Sequence, residues 1–139
     1  MLREVIHCRG HENVKATHKS TLEFTKEDYL TPRGDCILCI GADKGINDLS
    51  EDFKAALKAG KRVLIRIRVG SLSDEVIAEG SPGLILNHET SMVIRKSTYI
   101  DARTLAIKAN KAARDIDRKL VELLKSPEAE AVVELIILD

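Results

Sequence analysis

The sequence predicts a β-rich α+β chain, with mostly antiparallel strands in a two-sheet sandwich or partly open barrel and two flanking α-helices. Three observations predict it. Apolar residues alternate with polar ones at period two over residues 14–25 and 62–69. Helical spacing is confined to the stretch between Ser50 and Gly60 and to residues 111–125. The regular strand–helix alternation of a doubly wound parallel sheet is missing.

Taken in order, residues 3–9 read as a strand ending at Gly10. In residues 14–25, Val14, Ala16, His18, Ser20, Leu22 and Phe24 share one face, while Lys15, Thr17, Lys19, Thr21, Glu23 and Thr25 share the other. A loop with the turn signal Thr31-Pro32-Arg33-Gly34 follows. Residues 36–40 form a short apolar run that reads as a central strand. Ser50 can cap a helix whose first turn holds Glu51 and Asp52, whose stripe is Phe53, Ala56 and Leu57, and which Gly60 ends. Residues 62–69 give the clearest strand, with Val63, Ile65, Ile67 and Val69 opposite Arg62, Leu64, Arg66 and Arg68. Shorter strands are expected at 75–79, 84–86, 92–96 and 104–109, with a hairpin turn at 87–90. Ala113, Ile116, Leu120, Leu123 and Leu124 mark a second helix over 111–125, with Asn110 as its cap and Pro127 barring continuation. Residues 132–138 are almost unbroken apolar sequence, as in a strand paired on both sides. No internal repeat stands out, and the 139 residues read as a single domain.

An apolar fraction of 44% beside 32% charged residues belongs to a globular chain that can build a core without metal or disulfide. No apolar run approaches the roughly 18 residues of a membrane span, and the N-terminus lacks the pattern of a secretory signal. A cytoplasmic protein without a membrane partner is therefore expected. Lys plus Arg and Asp plus Glu number 22 each, so nucleic acid or any other polyanion would have to be met by a local patch. The three cysteines, Cys8, Cys36 and Cys39, read as free thiols in a reducing compartment.

Three stretches resemble an archaeal family, the domain of unknown function numbered 371: residues 11–18, His11-Glu12-Asn13-Val14-Lys15-Ala16-Thr17-His18; residues 30–37, Leu30-Thr31-Pro32-Arg33-Gly34-Asp35-Cys36-Ile37; and Ala42-Asp43-Lys44. The similarity extends to residues 91–97 and 103–107. It implies an archaeal cytosolic protein with a jelly-roll-like β-sandwich, and carries over neither an activity nor a site residue.

The candidate site residues rest on side-chain chemistry. Cys36 and Cys39 lie in one strand and project to opposite faces, so they cannot pinch a metal ion. His7, His11 and His18 match no metal signature, and no metal or cofactor is expected. His18 shares an inward face with Leu22 and Phe24 and stands near the Arg33-Gly34-Asp35 turn. With Asp35 as a base, and His11, Thr21, Arg33, Asp43 and Lys44 around it, His18 is the centre of a candidate enzyme site. The glycines of residues 41–45 fail the phosphate-loop pattern. The other candidate is a basic sheet face of Arg62, Arg66 and Arg68, extended by Arg95 and Lys96, suited to bidentate recognition of phosphate or carboxylate.

Three functional readings follow. The first is a binding module holding an anionic small molecule or an RNA backbone on the basic face. The second is a small enzyme around His18 and Asp35, and the third is an assembly protein forming a homodimer through a sheet edge or an apolar helix face. Few aromatic residues are available to stack bases, which ranks RNA below a small anion.

Overall fold

The computed structural model describes residues 1–139. Its strands are β1 (Arg3–Arg9), β2 (Thr21–Thr25), β3 (Ile37–Cys39), β4 (Arg62–Val69), β5 (Leu72–Glu79), β6 (Ser91–Arg95), β7 (Thr104–Ala106) and β8 (Glu130–Ile137). Two helices, α1 (Glu51–Lys58) and α2 (Arg118–Leu123), precede β4 and β8. The strands form two four-stranded sheets, ordered β1-β8-β4-β5 and β3-β2-β6-β7, and no barrel closes. The first sheet is antiparallel throughout. In the second, β2 and β6 are antiparallel, and each has a short parallel neighbour on its outer side. Bridges from Arg9 to Ile40 and from Glu79 to Ile107 tie the two sheets together.

Alternation explains the first sheet. Val63, Ile65, Ile67 and Val69 of β4 are buried, and the residues between them face solvent or a neighbouring charge. β8 lies between β1 and β4, as its apolar run predicts. One cluster of 38 buried residues takes side chains from both sheets and both helices. Helix α1 starts as expected, with the Ser50 hydroxyl accepting a hydrogen bond from the Phe53 N–H. Phe53, Ala56 and Leu57 bury its apolar stripe, and Gly60 ends it with φ +85°.

The expectation of no repeat is overturned. The element order of β1 through β4 recurs in β5 through β8, and both sheet orders read the same when each strand is exchanged for its counterpart. The chain is thus two copies of one unit related by a pseudo-twofold axis. The sequence trace is faint: Ile40-Gly41-Ala42-Asp43-Lys44 answers Ile107-Lys108-Ala109-Asn110-Lys111. Bonding detail repeats more faithfully than residue identity. Lys44 and the Ser50 N–H donate to Glu4; Lys111 and the Asp117 N–H donate to Asp74. The left-handed residues Ala16 and Leu86 are counterparts, as are Gly41 and Lys108. The units also interlock, because β1 pairs only with β8 inside the sheet and β5 only with β4.

Several element bounds differ from expectation, each for a local reason. Residues 14–20 are not strand: Ala16 turns to φ 48° and His18 organises a turn. Leu86 does the same at φ 57°, so residues 84–86 are irregular although Leu84 and Leu86 are buried. β3 is an edge strand, not a central one. The second helix is much shorter than its spacing implied. Ala113–Asp115 is a single 3₁₀ turn, and Asp117 rather than Asn110 caps α2. The Asn110 side chain instead accepts from the Ile77 N–H of β5. Cys8 and Cys39 are not free thiols but a disulfide between β1 and β3. Cys36 alone is free, and burial, with the nearby Glu23 carboxylate, pushes its thiol up to about 12.

Candidate functional site

On the outward face of the first sheet, β8 is flanked by β1 and β4, and their cross-strand rows set the site. One row aligns Val5, Glu134, Arg66 and Glu75; the next aligns His7, Val132, Arg68 and Ser73. Glu134 is buried in the middle of this face. Arg3 donates to it through Nε at 2.9 Å and again through Nη2. Arg68 approaches the other carboxylate oxygen at 3.2 Å and Arg66 at 3.9 Å. Hydrogen bonding from Arg3 outweighs burial, and with the charges of Arg68 and Arg66 it holds the Glu134 carboxyl below its ordinary range. Arg66 also donates from Nε to Glu75 at 2.8 Å. The three arginine side chains remain 36–50% exposed, whereas that of Glu134 is 5% exposed.

Arg62, Arg66 and Arg68 therefore share one face, as alternation predicts. Arg62 stands at its end, engaged by Asp139 at 2.9 Å. Arg95 and Lys96 are not brought to this face, because they belong to β6 and the residue after it, in the second sheet. Arg95 is buried there; it donates to Thr104 and Asp101 and lies over the Tyr99 ring at 5.0 Å. Lys96 pairs with Asp115 at 3.5 Å. Glu23, expected on an exposed face, is buried between Cys36 and Arg103.

The residues grouped around His18 are only partly assembled. Its Nδ1 accepts the backbone N–H groups of Ser20 and Thr21, each at 3.1 Å, and lies 3.1 Å from the Thr21 hydroxyl. The Asp35 carbonyl accepts from the N–H groups of Thr17 and His18, which brings Asp35 beside them through its backbone. No cavity encloses the group. The counterpart His88 accepts from Thr90 and Ser91 in the same way, so the ring builds the turn in both units. His11 performs a similar local service for the Asn13 N–H. Arg33 is exposed on its turn. Asp43 accepts from the His7 N–H, and Lys44 donates to Glu4, so both secure the edge of β1 away from His18. No group of three His, Cys, Asp or Glu side chains could hold a metal ion.

The sequence reading missed Arg3 and Glu134, which organise the arginine face. The period-two placement of Arg3, Val5, His7 and Arg9 was available as a signal. Glu134 was hidden because a lone acid in an apolar strand gives no hint that three arginines surround it.

Fold and site together define a class: a β-rich, internally duplicated chain with two helices and a polar sheet face. Comparison with known proteins is more specific. The family model for a domain of unknown function, DUF371, matches residues 6–138. An uncharacterised protein of Methanocaldococcus jannaschii, MJ0206, is 53% identical over 133 residues, covering 96% of this chain and 98% of that protein. The chain belongs to the DUF371 family. No helix is long and apolar enough to cross a membrane.

Proposed function

We propose that this chain is a binding module that holds a small anionic molecule on the outward face of its first sheet. The supporting observation is the convergence of Arg3, Arg66 and Arg68 on the single buried carboxylate of Glu134. Glu134 fixes the orientation of the three guanidinium groups, and Glu75 engages only Arg66. Three cations against two acids leave positive charge on a face that remains half exposed. Guanidinium donors not used by Glu134 are pre-organised for bidentate contact with phosphate or carboxylate. The face carries no Phe, Tyr or Trp ring. The two exposed tyrosines, Tyr29 and Tyr99, follow β2 and β6 of the other sheet. That distribution favours a small anion over an RNA strand, whose bases need stacking partners.

A thermal-shift series in low salt, with sugar phosphates, nucleotides and dicarboxylates, tests the reading. The expected result is stabilisation that fades as salt rises and is lost in Arg66→Ala/Arg68→Ala. Equal behaviour of the variant and the parent would remove the arginine face from consideration.

A further inference from the structure

We infer that the end of this face beside Gly41 is a site for a small phosphate monoester. The inference rests on the anion-binding reading and gives it a place and a substrate class. A cleft of about 250 Å³ opens there, lined by His7, Arg9, Gly41, Glu130 and Val132, with Cys8 in its wall. Arg9 differs from Arg3, Arg62, Arg66 and Arg68 of the same sheet, each of which has an acidic partner within 4.0 Å. The Arg9 side chain makes neither a salt bridge nor a hydrogen bond, although Glu130 faces it across the strand pair. Its guanidinium lies against Gly41, where an added Cβ would fall 2.0 Å from Nη1. His7, two residues along the same face, supplies further donor capacity.

The pseudo-twofold axis provides an internal control. The counterpart of Gly41 is Lys108, which holds the same left-handed backbone at φ 53° and reaches Glu79, the counterpart of Arg9, at 3.9 Å. His7 becomes Ile77, and Glu130 becomes Arg62, which turns to Asp139. The cavity nearest that second position is lined by Ser73, Asp74, Glu75, Ile77, Asn110 and Lys111, and takes in neither Glu79 nor Lys108. The Cys8–Cys39 bridge, which anchors the wall of the cleft, is replaced there by Ala78 and Ala106. The two units repeat their backbone staples and diverge at this cleft. A bare glycine, an unpartnered arginine and a covalently fixed wall coincide in one unit only.

The chemistry points to a doubly charged oxyanion. The Arg9 fork offers two parallel N–H donors and His7 adds a third, a geometry that suits phosphate oxygens. The Glu130 carboxylate on the opposite wall repels a bare polyanion and accepts from a hydroxyl beside the phosphate. A phosphate monoester of a small polyol satisfies both walls.

Isothermal titration at low salt with glycerol 3-phosphate, inorganic phosphate and glycerol tests the assignment on the full chain. Glycerol 3-phosphate is expected to bind best and glycerol not at all. Arg9→Ala should weaken binding about tenfold or more, the loss typical of a charge-assisted contact. Gly41→Lys imports the plug of the other unit, at a backbone position where its counterpart is already lysine; it should abolish binding by displacing the Arg9 guanidinium, and lower the melting temperature only modestly, since the atom it meets is the end of a flexible side chain. Binding lost in Arg66→Ala/Arg68→Ala but retained in Arg9→Ala and Gly41→Lys would overturn the cleft and leave the face reading standing. No binding of either phosphate by the parent chain would overturn the inference, and stabilisation of that same parent by other anions would still support the face.

Discussion

The two units of this chain agree where they build backbone and disagree around the end of β1. Glu4 with Lys44 and Asp74 with Lys111 are the same clamp with a shortened acid. His18 and His88 are the same turn staple, and Ser50 and Asp117 cap equivalent helices. Against that agreement stand Cys8 with Cys39 for Ala78 with Ala106, Gly41 for Lys108, and Arg9 for Glu79. Contacts that satisfy buried or turn backbone are kept because an unpaired N–H or carbonyl costs the fold directly. Side chains such as Arg9 and Glu79 carry no such obligation, and the units have separated there and at the buried Cys8–Cys39 bridge beneath.

The largest expected break in the comparison is covalent. Removing the bridge with Cys8→Ala/Cys39→Ala makes the first unit resemble the second at those positions. The bridge spans a sequence separation of 31 residues. Closing a loop of that size constrains the unfolded chain by roughly 3–4 kcal/mol. Urea unfolding of the oxidised parent and the double variant should differ by about that amount, and the reduced parent should approach the variant. Identical midpoints with and without reductant would mean that the two units are equally stable without the bridge.

That bridge also marks where the sequence stopped being legible. Cys36 and Cys39 draw the eye as a spaced pair, yet Cys39 joins Cys8, which is remote in sequence and adjacent only once the Arg9–Ile40 bridge brings the end of β1 beside β3. The strands with clean alternation, such as β4, and the helix with an explicit serine cap were readable, because local pattern alone decides them. The second helix was not. Ala113 and Ile116 are buried at helical spacing, but they sit in a 3₁₀ turn and its exit, where burial comes from the other unit. The duplication left only a faint trace for a related reason: what repeats is the partner of each backbone group, and residues as different as Gly41 and Lys108 hold one conformation. Of the candidate site, the shared face of Arg62, Arg66 and Arg68 was legible. The acid beneath Arg66 and Arg68 and the cleft beside Arg9 needed the order β1-β8-β4, which no single segment encodes.

A smaller effect tests the agreement rather than the difference. Gly10 and Gly80 are counterparts, and each touches backbone of the opposite unit. A Cβ on Gly10 would lie 2.3 Å from the carbonyl oxygens of Leu124 and Ser126; on Gly80 it would lie 2.0 Å from the Leu57 carbonyl oxygen. Neither neighbour is a flexible side-chain end, so the interlock itself must shift. Gly10→Ala and Gly80→Ala should each cost about 1–3 kcal/mol, as overpacking does, and by similar amounts in denaturant melts. A large loss at one and none at the other would show that one unit alone sets the packing between them.

The smallest effect concerns the paired clamps and separates them by pH. Burial by itself raises Glu4, but Lys44 and the Ser50 N–H overcome it, leaving the carboxyl below its usual 4.5. Asp74 is likewise raised by burial and brought below its usual 3.8 by Lys111 and the N–H groups of Asp117 and Glu75. A carboxylate depressed in the folded state contributes stability that is complete above its unfolded value and is lost as pH falls through the folded one. Both clamps therefore support the fold at neutral pH and release it in acid. Glu4→Gln and Asp74→Asn should each lower stability at pH 7 by about 1–2 kcal/mol, the scale of a charge-assisted hydrogen bond. At pH 3 each penalty should shrink, because the unfolded chain's carboxyls, at their ordinary 4.5 and 3.8, then bind protons and the advantage of the depressed folded groups is being lost. A penalty unchanged between pH 7 and pH 3 in either variant would mean that this clamp acts through shape rather than charge, and that the units differ in kind as well as in side-chain length.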